Sequence, residues 1–247
     1  MLVDVHCHLD FREFDIDRYD IIDRAKAKGV TAIINNGLNP ESNKKTLALC
    51  ETIDILKPAL GMHPMEVSKL EDSTIERELE FINGQRGIAA IGEVGLDFYK
   101  GMQPERQIAV FTDFIRLAEH KHLPIIVHTR KAEKECVELL ESSSLKKVIL
   151  HAFQGSKSLA KKAEDNGWFF SLPPSIVYTE QFQQMAKDIA VNQLLTETDS
   201  PFLGPVKEEK NEPANVSYVV EKIAELKGMD KEEVKNVIFM TFRRLFG

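Results

Sequence analysis

Imidazoles and carboxylates recur along this chain wherever a short apolar run ends. His6 and His8 close LVDVHCH, His63 closes KPALGMH, Glu93 closes GIAAIGE, His128 closes LPIIVH and Asp199 closes LLTETD, while His151 lies near the end of KVILHAF. His6 and His8 are two residues apart, which in a strand puts both side chains on one face and Cys7 on the other. Each residue alone has an ordinary reading. Strand histidines are often core residues with satisfied hydrogen bonds. Glu93 could cap a helix, Asp199 could open the turn before Pro201, and His63 could start the turn before Pro64. Ordinary packing does not explain all of them at the same end of successive runs. His6, His8, Glu93, His128, His151 and Asp199 therefore make a candidate ligand set. Mixed imidazole and carboxylate donors suit Zn, Mn, Fe or Ni, and Mg where waters complete its shell. An enzyme site keeps positions open for water and substrate, so two divalent ions sharing a bridging carboxylate is the economical arrangement.

The elements that must position these residues follow from the same runs. There are eight, at 2–8, 30–36, 57–63, 87–93, 123–128, 147–153, 168–172 and 194–199, and most are near-continuously apolar, as parallel strands covered on both faces should be. Amphipathic helical patterns lie between them, clearest at 17–28, 105–121, 132–142, 156–166 and 180–190. Two more follow at 214–227 and 231–246. Gly29 and Gly167 sit where helix C-terminal glycines belong. Asp230 and Glu233 form a capping-box pattern. His120 and His122 flank a helix end and read as surface or capping residues. Eight strand–helix repeats predict an α/β fold, a single (β/α)8 TIM barrel over 1–247 with C-terminal helices. Strand ends in a barrel converge on one face, where catalytic residues gather. An open doubly wound sheet would carry a Gly-rich phosphate loop after its first strand, and none is present.

Composition sets the outer bounds. The chain has 247 residues, 43% hydrophobic and 29% charged, which excludes a disordered chain, a collagen-like chain and a small disulfide scaffold. No run approaches the ~20 apolar residues of a membrane span. The three cysteines, Cys7, Cys50 and Cys136, read as free thiols in a reducing cytosol, so a cytoplasmic location is expected. A net charge of −7 argues against a binder that grips nucleic acid with a broad basic surface.

At these residues the sequence resembles the TatD family of metal-dependent deoxyribonucleases, within the amidohydrolase-like superfamily. The matching pieces are DVHCHLD (4–10), GMHP (61–64), IGEVGLDFY (91–99), Gln107 and Phe111, LPIIVHTR (123–130), HAFQGS (151–156), TETDSPFL (196–203), NEPANV (211–216) and RRLFG (243–247). They run in order over essentially the whole chain. The resemblance implies a TIM barrel with two divalent ions (Mg, Mn or Zn). His6, His8 and Asp199 would hold one, His128 and His151 the other, and Glu93 would bridge where related branches use a carboxylated lysine. It also implies DNA as substrate and 3′→5′ exonuclease action on a single strand. Three departures from the family pattern are Ala152 in place of Cys, Lys210 in place of Arg and Thr241 in place of Asn. The last two bear on loop geometry and substrate fit.

The expected reaction is phosphodiester hydrolysis by a two-metal-activated water. Asp199 would act as base as well as ligand, and His63 would contact phosphate or pass a proton to the leaving group. Arg130, two residues past His128, is placed to pair with phosphate, with a surface charge as its alternative. Tyr99, Phe153 and Phe202 are candidates to stack on bases, although core packing is the stronger reading for Phe153 and Phe202. Lys100, Lys131, Lys207 and Lys210 read as solvated loop charges near the entrance. Two ions offset by Glu93 and Asp199 would leave about +2 at the mouth. The same metals would also serve a different hydrolase, such as an aminoacyl-tRNA deacylase or an amide or lactone hydrolase. A non-catalytic metal-binding protein is the third reading. No membrane and no obligate protein partner is expected.

Overall fold

The computed structural model describes residues 1–99 and 103–247. Lys100 lies outside them. The strands are β1 (Leu2–Cys7), β2 (Val30–Asn36), β3 (Leu56–Leu60), β4 (Ala90–Asp97), β5 (Ile125–Arg130), β6 (Val148–His151), β7 (Phe169–Leu172) and β8 (Leu194–Thr196). All adjacent pairs are parallel, and the order in the sheet is the order in the chain. The seam between β8 and β1 is drawn together by backbone bonds. Asp199 N–H donates to His6 O at 2.7 Å, His8 N–H donates to Ser200 O at 2.9 Å, and Cys7 bridges Ser200. The result is the expected (β/α)8 barrel.

The helices are α1 (Arg18–Ala27), α2 (Pro40–Thr52), α3 (Pro64–Val67), α4 (Asp72–Gly84), α5 (Pro104–Lys121), α6 (Glu133–Glu141), α7 (Lys157–Asp165), α8 (Glu180–Asp188), α9 (Val216–Lys227) and α10 (Lys231–Phe246). Their ends carry the expected signals. Asn39 accepts from the N–H groups of Glu41 and Ser42 at the start of α2, and Asp230 does the same for Glu232 and Glu233 in α10. Gly29 and Gly167 take positive φ just past α1 and α7, and His122 caps α5. Helix α2 escapes the periodicity reading because the face it buries carries Ser42, Asn43 and Thr46. Thr46 accepts from Asn35 of β2, so that helix is held by a polar network instead of an apolar stripe.

Two strand boundaries shift in ways that matter for the site. The run expected at 87–93 is displaced: β4 starts at Ala90 and continues to Asp97. Glu93 therefore lies within the strand, beside a register irregularity between Ile91 and Val94. Strand β8 is only three residues long, so Asp199 belongs to the loop beyond it, with φ of +54°. Aspartate tolerates this left-handed conformation better than most residues.

Candidate metal centre

The convergence begins on β1. His6 and Asp4 point to the same side, and Asp4 accepts from the N–H of His6 and from both the N–H and the hydroxyl of Thr198. Cys7 faces away, against Ile34 O and Asn35. His8 follows directly. Four atoms then meet: Nε2 of His6, Nε2 of His8, Oε2 of Glu93 and Oδ1 of Asp199. The His6–His8, His6–Glu93, His6–Asp199, His8–Glu93 and His8–Asp199 separations run from 3.1 to 3.5 Å. A tetrahedral ion with bonds of 2.0–2.1 Å has ligand–ligand edges of about 3.3–3.4 Å. Each of these five separations matches such an edge, and His6, His8 and Asp199 group as one candidate ion site.

The hydrogen bonds behind the rings give the same answer. Nδ1 of His8 lies 2.9 Å from Asn36 O, so that nitrogen carries the proton and a neutral Nε2 is bare. Nδ1 of His151 donates to Glu197 at 2.8 Å, and Ser171 Oγ donates to the same Glu197 oxygen. Nε2 of His151 then faces Asp199, 4.0 Å away. His128 sits between two carboxylates, Nδ1 2.8 Å from Glu93 Oε1 and Nε2 3.3 Å from Asp97 Oδ2. Bare nitrogens turned toward carboxylate oxygens repel unless a proton or a metal ion lies between them. An acceptor behind a ligating imidazole, which fixes its tautomer, is a recurrent feature of metal sites. The donor set fits divalent ions.

Asp97 is the residue that the motif reading passed over. It groups with His63 and His128, while His151 groups with His6 and Glu93. Glu93, Gly95 and Asp97 share one face of β4 at the strand period of two. Gly95 has φ of +144°, and a Cβ there would come within 2.1 Å of His128 O. The close approach of β4 to β5 at His128 therefore requires glycine. Gly61 plays a similar part, since its Cβ would lie 2.6 Å from Glu93 O. Glycine thus lets the His63 loop close on β4.

The electrostatics are those of a cluster that needs positive charge. Burial opposes the ionisation of Glu93, but the fields of His6 and His63 and hydrogen bonds from His128 and His6 hold its carboxyl well below the usual range. Asp199 is also held low, against burial, by the field of His151 and a hydrogen bond from His8. Burial works against charge on His151 too, yet Glu197 and Asp199 lift it to about 9. Burial and the neighbouring His151 push His6 down to about 4.

His63 serves two structural roles. Its Nδ1 accepts the N–H of Met65 at 3.2 Å and so caps α3, as the turn reading expected. Its ring also packs edge-on against His128. With Nδ1 as acceptor, a neutral His63 carries its proton on Nε2, which faces Glu93 at 3.7 Å. Burial and the field of His128 push its pKa down to about 3.

Around the cluster opens a cavity of about 410 Å³, lined by His8, His63, Glu93, Asp97, His128, His151 and Asp199 at its floor. Tyr99, Arg130, Phe11 and Phe202 form its rim. The Arg130 guanidinium lies 4.0 Å from the centre of the Tyr99 ring. Phe153 is fully buried, as expected, whereas Phe202 is 52% exposed at the mouth and not part of the core. The loop between β8 and α9 swings it outward past Pro201. Lys210 is not among the residues lining this cavity and pairs with Asp17 at 2.7 Å. Thr241 donates to Asn192 O, which precedes β8, so it lies at the end of the barrel away from the mouth and cannot shape substrate fit.

The TatD-related DNase family model matches residues 3–247. Human deoxyribonuclease TATDN3 is 38% identical, over 99% of this chain and 94% of its own length. The metal-dependent hydrolase YabD of Bacillus subtilis is 33% identical, over 100% of this chain and 99% of its own. The chain belongs to the TatD family. The crystal structure of YJJV, a TatD homologue from Escherichia coli K12, superposes with a TM-score of 0.93 at 28% identity, covering 99% of this chain and 97% of that one. A TatD-family hydrolase from Entamoeba histolytica, 19% identical with a TM-score of 0.87, shows the same fold. This TatD chain is accordingly a metal-dependent hydrolase by family, and no helix among its described residues is long and apolar enough to cross a membrane.

Proposed function

We propose that this TatD protein is a 3′→5′ exonuclease that hydrolyses terminal phosphodiester bonds of single-stranded DNA with two divalent ions. The observation that carries the reading is the four-atom cluster of His6, His8, Glu93 and Asp199, set in a chain that matches the DNase family from end to end. His6, His8 and Asp199 would hold one ion, His128 and His151 the other, with Glu93 between them. When bound, such ions lower the pKa of a coordinated water and neutralise charge on the scissile phosphate. Asp199 takes the proton of the attacking water. His63, neutral and protonated on Nε2, donates a hydrogen bond to the leaving oxygen. Arg130 holds a phosphate oxygen pair and Tyr99 backs the guanidinium. Three unpaired cysteines fit a cytoplasmic enzyme.

The test is digestion of end-labelled single-stranded DNA by chelated enzyme, with Mg, Mn or Zn restored one at a time. Mononucleotides should be released from the 3′ end only after metal is restored. His128→Ala and Asp199→Asn should each lower kcat at least 100-fold while circular dichroism stays native. Arg130→Ala should raise KM with little change in kcat. Full hydrolysis by either ligand variant would overturn the mechanism. Turnover confined to an aminoacyl ester would favour the deacylase reading.

A further inference from the structure

The mouth of the barrel has two aromatic poles. Tyr99 follows β4 and Arg130 ends β5, whereas Phe11 follows β1 and Phe202 follows β8. In an eight-stranded barrel β4 and β8 stand half a turn apart, so the two poles face each other across the metal cluster. Phe11 lies against His8 with ring centres 5.1 Å apart and planes 20° apart. Phe202 meets Phe11 edge-on at 6.1 Å. This corner exposes a large apolar ring within one side chain of a candidate ligand.

We infer that Phe11 and Phe202 form the stacking site for the terminal nucleobase of a single strand, and that the rest of the strand leaves on the opposite side, over Tyr99 and Arg130. The inference rests on the phosphodiester reading above and adds a direction to it. Two observations set that direction. First, the cleft extends past Tyr99 and Arg130 toward the ends of β5 and β6. A second cavity, of about 490 Å³, shares Tyr99, Arg130 and Asp199 with the first and runs on past Lys131 and Gln154. Gln181, whose side-chain amide donates to Gln154 O and Gly155 O, stands between it and a third cavity of about 420 Å³ that lies between α7 and α8. The first cavity also reaches Leu38, Met65 and Glu66 on the β2–β3 side. Second, the Tyr99 side carries Arg130 and Lys131 beside a single carboxylate, Glu133, and these cations suit phosphates, while the Phe11–Phe202 corner offers ring faces, which suit a terminal base.

The experiment pairs Phe202 variants with decathymidylates lacking one base, either at the terminal position or at the third position from the cleaved end. Phe202→Ala should raise KM on the intact strand about tenfold, in the range of one base–aromatic stack, with kcat retained. Phe202→Trp should restore it. Removing the terminal base should raise wild-type KM by a similar factor and leave Phe202→Ala with no further loss. Removing the third base should add to the Phe202 effect, and it should lose its own effect in Tyr99→Ala. A terminal 2-aminopurine, in a strand blocked by a phosphorothioate, should be quenched on binding wild type and not on binding Phe202→Ala. Independent effects at the terminal base, or coupling of Phe202 to the third base, would overturn the assignment. Wild-type enzyme that binds and cleaves no single-stranded oligonucleotide would instead remove the substrate reading, and the subsite with it.

Discussion

Three of the candidate ligands have an acceptor fixing the far side of the imidazole: Asn36 O for His8, Glu197 for His151 and Asp97 for His128. Without metal the same carboxylates draw protons. His151, lifted to about 9, binds more proton in the folded than in the unfolded state between about pH 6.5 and 9. Its contribution to stability is present below about pH 6.5 and is lost as pH rises through 9. His6 and His63, pushed down to about 4 and about 3, act oppositely, and their terms are lost as pH falls below about 6.5. Asp4, raised to about 8, loses its term over the same alkaline range, so the chelated protein should lose Tm as pH rises from about 6.5 to 9. A bound ion has already displaced the His151 proton, so the alkaline decline should flatten in the Mn-loaded protein. Melting curves from pH 5 to 9 with and without chelator check this, and identical profiles would contradict the assignment of His151.

At the scale of elements, the decisive join is between β8 and β1. Short β8 leaves the orientation of Asp199 to the Thr198–Asp4 contacts and to the backbone bond from Asp199 to His6. Burial pushes Asp4 up to about 8 in spite of bonds from Thr198 and His6, which makes each remaining bond costly to lose. Thr198→Val keeps the shape, removes the hydroxyl donor to Asp4 and takes the acceptor from Ser200 Oγ. It should destabilise by about 1–3 kcal/mol, read from urea unfolding, and lower kcat by loosening Asp199. Unchanged stability would mean that the seam is held elsewhere. The helices were legible where they bury an apolar stripe, as α5 does with Val110, Phe111, Phe114, Ile115 and Ala118. Of the two longer helices outside the clearest patterns, α2 buries a polar face and α4 sets Glu78 between Ile75 and Ile82 on its buried face.

For the whole molecule, the structure changes the charge count at the mouth. The expected +2 counted only Glu93 and Asp199. Asp97 and Glu197 stand behind His128 and His151, so the +4 of two divalent ions meets four carboxylates and the sum falls to about 0. Attraction for the substrate beyond the scissile phosphate then rests on Arg130 and Lys131 at the rim, with a net chain charge of −7 around them. One or two phosphates neutralised on a single strand give a slope of about −0.7 to −1.4 in log affinity against log salt. Measuring KM from 50 to 300 mM salt at fixed metal tests this. A slope near −4 would require a basic surface that the fold does not supply.

The sequence by itself determined the barrel: eight apolar runs separated by helices need cover on both faces, and no Gly-rich phosphate loop after the first run points to an open doubly wound sheet. It also determined which imidazoles and carboxylates share a rim, since a barrel brings all strand ends to one face. Asp97 was within reach of the same logic, but Gly95 interrupts the visible alternation of β4 and made Glu93 look like the strand's end. Only the tertiary structure decided which acceptor holds each histidine, that His63 keeps its proton on Nε2, and that Phe202 stands at the mouth beside Phe11. Those are contacts between residues up to 191 positions apart, made by loops whose paths depend on packing around the closed barrel. No local periodicity encodes them.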